Sequence, residues 1–123
     1  MKRLAWALLF CFLLSQSTYA KETRIKFKRG LTRVTVYGWL NKVGDEASFV
    51  LNARAGQQMR IIIKGKGATR GTVVSPSGKE DGQPGGLIFD DVLEETGDYR
   101  IWVTESQMAK SRRGRFTLKV EIK

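Results

Sequence analysis

The sequence predicts an all-β protein, an antiparallel sandwich or barrel of about eight strands. Three observations carry this. Apolar residues alternate with a period of two along most of the chain, Gly-containing turns interrupt the runs at roughly 8–15-residue intervals, and no stretch holds a helical period. The fold class therefore follows from patterning alone.

The first residues stand apart from that pattern. Lys2 and Arg3 precede an apolar run, Leu4 to Leu14, and a polar stretch then ends at the small residue Ala20. This is the layout of a secretory signal with cleavage after Ala20. The run is short for a bilayer span, which needs about 20 apolar residues; a retained anchor is the alternative. Cys11, the single cysteine, follows Phe10 rather than the small residue that precedes a lipidated cysteine. The expected organisation is a signal peptide, 1–20, and one β domain, 21–123, exported to the periplasm or beyond.

Within 21–123 the strands follow in order. Arg24 to Lys28 sets Ile25 and Phe27 against three cations, and Arg29-Gly30 breaks it. Arg33 to Leu40 alternates Val34, Val36, Gly38 and Leu40 with Arg33, Thr35, Tyr37 and Trp39, and alternation alone leaves open which side is the core. Ala47–Ala53 is a third strand, and Arg54-Ala55-Gly56-Gln57 a turn with Gly56 where positive φ is needed. Gln58–Lys64 and Thr72–Ser75 follow, separated by a Gly-rich loop, and Ser75-Pro76-Ser77-Gly78 is a turn by composition. Gly78 to Gly86 has almost no apolar residue and reads as an exposed loop. Leu87–Phe89, Tyr99–Thr104 and Arg115–Ile122 complete the set.

Composition removes several chemistries. The chain has no histidine, and no cysteine beyond Cys11. Disulfides, thiol catalysis, Ser-His triads and the usual zinc or copper sites are therefore not expected in the domain. The carboxylates Glu80, Asp81, Asp90, Asp91, Glu94 and Glu95 lack the D-x-[DN]-x-[DN]-G spacing of a calcium loop. As a glycosidase pair they would need a sugar cleft that so small a chain gives no sign of. No metal or cofactor, and no enzymatic activity, is expected. The net charge is +10 at pH 7, and about +8 without the leader. Seven of the 12 acidic residues lie between Glu80 and Asp98. Cations gather at the two ends of the domain, Lys21, Arg24, Lys26, Lys28, Arg29 and Arg33 at one, Lys110, Arg112, Arg113 and Arg115 at the other. Neighbouring terminal strands would make these one basic surface. Nucleic acid is not an expected partner, because no aromatic-basic RNA-binding motif is present.

The series "GWLNKVGDEASFVLNARAGQQMRIII", "VSPSG", "ETGDYRIWV" and "GRFTLKVEI" resembles the bacterial pre-peptidase C-terminal domain, a jelly-roll-like β-sandwich, over Val34 to Ile122. Within that group the chain is similar to the periplasmic inhibitors of goose-type lysozyme. The start of the domain, Ile25 to Gly30, and its "VEIK" end carry the likeness. The resemblance implies a non-enzymatic sandwich whose partner is a goose-type lysozyme. It also implies a short loop pushed into the enzyme's cleft, and Thr96-Gly97-Asp98-Tyr99 stands at that place, with threonine where the inhibitors carry serine. Lys110, Arg112 and Arg113, in the next loop, are the implied gripping cations.

Local physics offers a structural account of the same residues. Gly97 supplies a turn conformation, Thr96 can accept from a neighbouring backbone amide, and Tyr99 can bury its ring and bond its hydroxyl to a neighbouring strand, like a tyrosine corner. A different functional class also stays open. If Tyr37 and Trp39 are exposed, they and the basic face suit an anionic glycan or peptidoglycan.

Overall fold

Alternating runs become strands that turn one face inward. The computed structural model describes residues 22–40, 45–65, 69–105 and 114–123. It contains β1 (Glu22–Arg24), β2 (Arg33–Leu40), β3 (Glu46–Ala53), β4 (Gln58–Gly65), β5 (Thr69–Val74), β6 (Glu80–Pro84), β7 (Gly86–Val92), β8 (Gly97–Glu105) and β9 (Gly114–Ile122). One sheet has the order β1-β3-β8-β5-β6 and the other β2-β9-β4-β7. Every pairing is antiparallel except β1 with β3, which is parallel. This is a β-sandwich, as expected.

The central strands show why the sheets face each other. In β9, Phe116, Leu118, Val120 and Ile122 point inward and are buried, while Arg115 and Lys119 are exposed. Met59, Ile61 and Ile63 of β4 lie on the same face, and Leu51, Tyr99, Ile101 and Val103 of the other sheet close over them. Burying such side chains is worth roughly 1.5–3 kcal/mol each. Phe116 meets Phe49 edge-on across the sandwich, with ring centroids 6.1 Å apart. Its ring occupies the space beside Gly38, where a Cβ would fall 2.3 Å from Phe116 Cζ.

The open question of β2 is thereby settled. Leu40 is buried and Val34 and Val36 pack against the core, so Tyr37 and Trp39 face outward, 66% and 58% exposed.

Three expectations need correction. Among the described residues there are nine strands, close to the eight expected; the extra one, Glu80–Pro84, reads as loop in the sequence but pairs with β5 through the turn after Val74. An edge strand with solvent on its outer side needs no apolar residues, so periodicity misses it. The first strand is Glu22–Arg24 rather than Arg24–Lys28. Ile25 still bonds Val50 through its amide and is buried, and Phe27 packs against the core. The predicted side is right, but the chain is already leaving the sheet. Finally, β1 and β9 lie in different sheets, so of the N-terminal cations only Arg33, on β2, is brought beside β9 with its Arg115 and Lys119.

Candidate functional site

Thr96 to Tyr99 lies where the turns after β3, β5 and β7 meet, at one end of the sandwich. The turn after β3 closes through the Gln57 amide to the Arg54 carbonyl at 3.2 Å, with Gly56 at φ 91°. The turn after β5 closes through the Gly78 amide to the Ser75 carbonyl at 2.9 Å. The chain from Leu93 to Thr96 runs between them and is stitched to the first. The Gly56 amide donates to the Leu93 carbonyl at 2.8 Å, and the Leu93 amide to the Gln57 carbonyl at 2.7 Å.

Each side chain of the predicted loop has an internal partner. Thr96 Oγ1 accepts from the Ala55 amide at 2.9 Å, which ties the loop to the turn after β3. Gly97 has φ 148°, and a Cβ there would lie 3.0 Å from Pro76 Cγ. Asp98 accepts from Arg24 at 3.0 and 3.4 Å and from Asn52 at 3.2 Å. These bonds, Arg24's foremost, hold the Asp98 carboxyl below the usual range. Tyr99 is buried, and its hydroxyl donates to the Glu95 carbonyl at 2.6 Å. This is the tyrosine-corner pattern, directed to the residue four positions upstream rather than to a neighbouring strand. Burial raises the Tyr99 pKa above that of a free phenol.

Glu95 completes the assembly, a role the sequence reading missed. Its carboxylate accepts from the Ser77 hydroxyl at 2.9 Å and the Ser77 amide at 3.1 Å, binding the loop to the turn after β5. The Ser77 and Ser75 hydroxyls hold its pKa down. The Ser75-Pro76-Ser77 turn and the distant Glu94-Glu95 pair were the only available signals, and neither specifies the other.

The implied gripping cations Lys110, Arg112 and Arg113 lie outside the described residues. The strand ends that flank them, Glu105 and Gly114, stand at the far end of the sandwich from Gly97. The length of β8 separates the two ends by roughly 26 Å, at about 3.3 Å per residue.

The other candidates are now placed. Glu80, Asp81, Asp91, Glu94 and Glu95 line a shallow cleft of about 150 Å³ that Tyr99 also borders. Among the described residues no three His, Cys, Asp or Glu side chains converge as a metal site. Nor is any described helix long and apolar enough to cross a membrane. Tyr37 and Trp39 stand on the outer face of the β2-β9-β4-β7 sheet, with the Arg115 guanidinium 5.0 Å from the Trp39 ring centroid. Arg33, Arg60, Lys64 and Lys119 are exposed on the same face.

No family model and no curated relative matches the chain, but solved structures do. PliG of Aeromonas hydrophila, a periplasmic inhibitor of g-type lysozyme, superposes with a TM-score of 0.70 and 20% identity, covering 83% of this chain and 96% of that one. PliG of Salmonella Typhimurium gives 0.70 and 18%, covering 85% and 100%. The pre-peptidase C-terminal domain of a Bacillus anthracis collagenase gives 0.63 and 15%, covering 86% and 100%. The two groups that the sequence resembles are thus both found among its structural neighbours, and the fold it shares with them is the β-sandwich described above.

Proposed function

We propose that this protein is an exported, periplasmic inhibitor of g-type lysozyme, and that the end of the sandwich bearing Thr96 to Tyr99 enters the enzyme's cleft. One observation carries the reading: the superposition spans nearly the whole length of the PliG inhibitors. The geometry refines the mode. Thr96, Asp98 and Tyr99 have their polar groups engaged within the chain, so a partner meets the outer surface of three turns: Ala55, Pro76, the exposed side of Thr96 and the backbone at Gly97. Such a surface is already ordered, and docking it costs little conformational entropy. The neighbouring carboxylates Glu80, Asp81 and Glu94 give this end a local negative patch, which favours encounter with a basic enzyme despite the chain's positive charge. Lys110, Arg112 and Arg113 belong to the proposal as a second contact on a different part of the enzyme.

The test is cell-wall lysis by goose-type, chicken-type and invertebrate-type lysozymes with added protein. Inhibition of the goose-type enzyme is expected; none at large molar excess overturns the function. Ala55→Trp, an exposed change that spares every bond described above, should weaken inhibition at least about tenfold. If it does not, the turn end is not the inhibitory surface. Neutralising Lys110, Arg112 and Arg113 together should weaken inhibition mainly at low salt.

The exposure of Tyr37 and Trp39 favours a second reading, a non-catalytic module that binds peptidoglycan. Retention on insoluble peptidoglycan that Trp39→Ala abolishes supports it, and no retention removes it.

A further inference from the structure

Among the described residues the two sheets have four edges, and three carry devices that stop another strand from adding. β1 is three residues long and bears Glu22 and Arg24. β6 reads Glu-Asp-Gly-Gln-Pro, with two acids and a proline. β7 carries Asp90 and Asp91 before its last residue, Val92, and its pairing with β4 shifts register between Ile61 and Ile62. Short length, charge, proline and bulges are the ways sheets blunt an edge. β2 has none of these in its interior. It is eight residues long, pairs with β9 in unbroken register from Arg33 to Leu40, and carries no proline or carboxylate. Its single charge, Arg33, is at one end, and Tyr37 and Trp39 are exposed along it.

The hydrogen-bond parity of this edge can be read directly. The Ile122 amide donates to the Thr32 carbonyl at 2.8 Å, so Thr32 and Ile122 form a bonded pair one step before Arg33 and Glu121. Bonded pairs alternate in an antiparallel ladder. Val34, Val36, Gly38 and Leu40 therefore turn their amides and carbonyls to β9. Arg33, Thr35, Tyr37 and Trp39 turn theirs outward.

We infer that β2 is a self-association edge, on which a second copy of this chain adds its own β2 antiparallel about a two-fold axis through Val36. In that register Thr35 faces Tyr37 of the second copy and Arg33 faces Trp39 of the second copy. All four outward residues of each copy then exchange backbone bonds, about eight in total. Sliding by two residues carries Arg33 past the end of the opposing strand and loses part of this set. The side chains agree with the register. Arg33 comes level with Trp39 of the opposing strand, its charge offset by Glu121 at 3.6 Å, while Arg115 holds one face of that indole. On the inner face Val36 meets its symmetry mate, and Val34 lies opposite Gly38, which has no side chain to crowd it. The half-buried Val34 and Val36 gain cover. A sugar chain could stack on Trp39, but it does not offer the regular alternation of donors and acceptors that this edge presents. An edge-to-edge contact of this length is small, so the dimer is expected to be concentration-dependent.

Sedimentation velocity of the whole protein over a wide concentration range tests this. A reversible monomer–dimer equilibrium is expected, and a monomer throughout overturns the inference. Thr35→Pro removes one outward amide and leaves the β9 ladder intact. Trp39→Lys puts a cation opposite Arg33 of the second copy. Each should raise the dissociation constant at least about tenfold. A dimer unaffected by both overturns the inference, and if Thr35→Pro does not fold, Trp39→Lys decides. Val36→Cys in a Cys11→Ser background gives a chain with a single thiol, which should form a disulfide-linked dimer on mild oxidation. Failure to cross-link while the dimer persists overturns the register. Glycan retention lost in Trp39→Lys but kept in Thr35→Pro, without self-association, would assign the edge to the sugar instead.

Discussion

At the turn end of the sandwich, Thr96, Asp98, Tyr99 and Glu95 all spend their polar atoms on other parts of the chain. Along β2 the reverse holds: alternate backbone groups face outward, and Tyr37 and Trp39 stand in solvent. Both regions read as functional in the sequence, for the turn through its resemblance and for the strand through its aromatics. The difference teaches that a motif such as Thr-Gly-Asp-Tyr is first a device for closing the fold: Thr96 and Asp98 tie neighbouring segments together at the surface, and the buried Tyr99 hydroxyl would cost about 1–3 kcal/mol if left unpaired. A partner inherits only its outer surface. An edge strand spends nothing on the fold at its outward groups, so those groups are available for binding.

The comparison can be broken most forcefully at Gly97. Gly97→Val places a branched side chain at φ 148° and against Pro76. Strain and overpacking together should cost about 3 kcal/mol or more, seen as a lower urea midpoint. An unchanged midpoint would mean that the turn is not locked. Tyr99→Phe comes next. It removes the 2.6 Å bond to the Glu95 carbonyl and leaves that carbonyl short of a partner, for about 1–2 kcal/mol. The same variant alters the alkaline limb. Burial raises the folded-state pKa of Tyr99 above its unfolded value. Stability is therefore undiminished below about pH 10 and falls above it. Tyr99→Phe should make that fall shallower in thermal melts.

The acid limb tests the surface clamps, whose effect is smaller. Asp98 and Glu95 have folded-state pKa values below their unfolded ones, through bonds from Arg24 and from Ser77 respectively. Their contribution is complete above about pH 4.5 and is lost as pH falls through the folded-state values. The melting temperature should drop on acidification from about pH 6 to about pH 3, and less steeply in Asp98→Asn. An identical acid profile would mean that the Arg24–Asp98 bridge adds nothing.

Much of this was legible in the sequence, for reasons that can be stated. Period-two alternation revealed β9 and β4 because both are flanked by strands and face a core on one side. It missed β6, since Glu-Asp-Gly-Gln-Pro has no buried face to mark. The turn after β3 was readable because Gly56 at φ 91° is a local requirement. The clamp of Glu95 on Ser77 joins residues 18 positions apart and depends on two turns arriving at one place. No local rule encodes that. The same applies to β2: alternation gave its two faces, but the core side was fixed only when Phe116 was found against Gly38.

The gentlest test is also the one that separates the two regions. If β2 displays rather than supports its aromatics, Tyr37→Ser should change the stability of the monomer by no more than about 0.5 kcal/mol, the range of ordinary surface substitutions, and Trp39→Lys by no more than about 1 kcal/mol. Loss of the Arg115–Trp39 contact accounts for most of what is seen, since cation–π pairs at exposed sites are worth about 0.5–1 kcal/mol. Urea melts at low concentration, where the monomer dominates, measure this without interference from association. A destabilisation comparable to that of Tyr99→Phe would show that the outer face of β2 supports the fold as the turn end does. The contrast would then be one of exposure alone. A negligible change, with association weakened in the same variant, leaves the two regions with separate work: Tyr99 holds the sandwich closed, and Trp39 meets what comes to it.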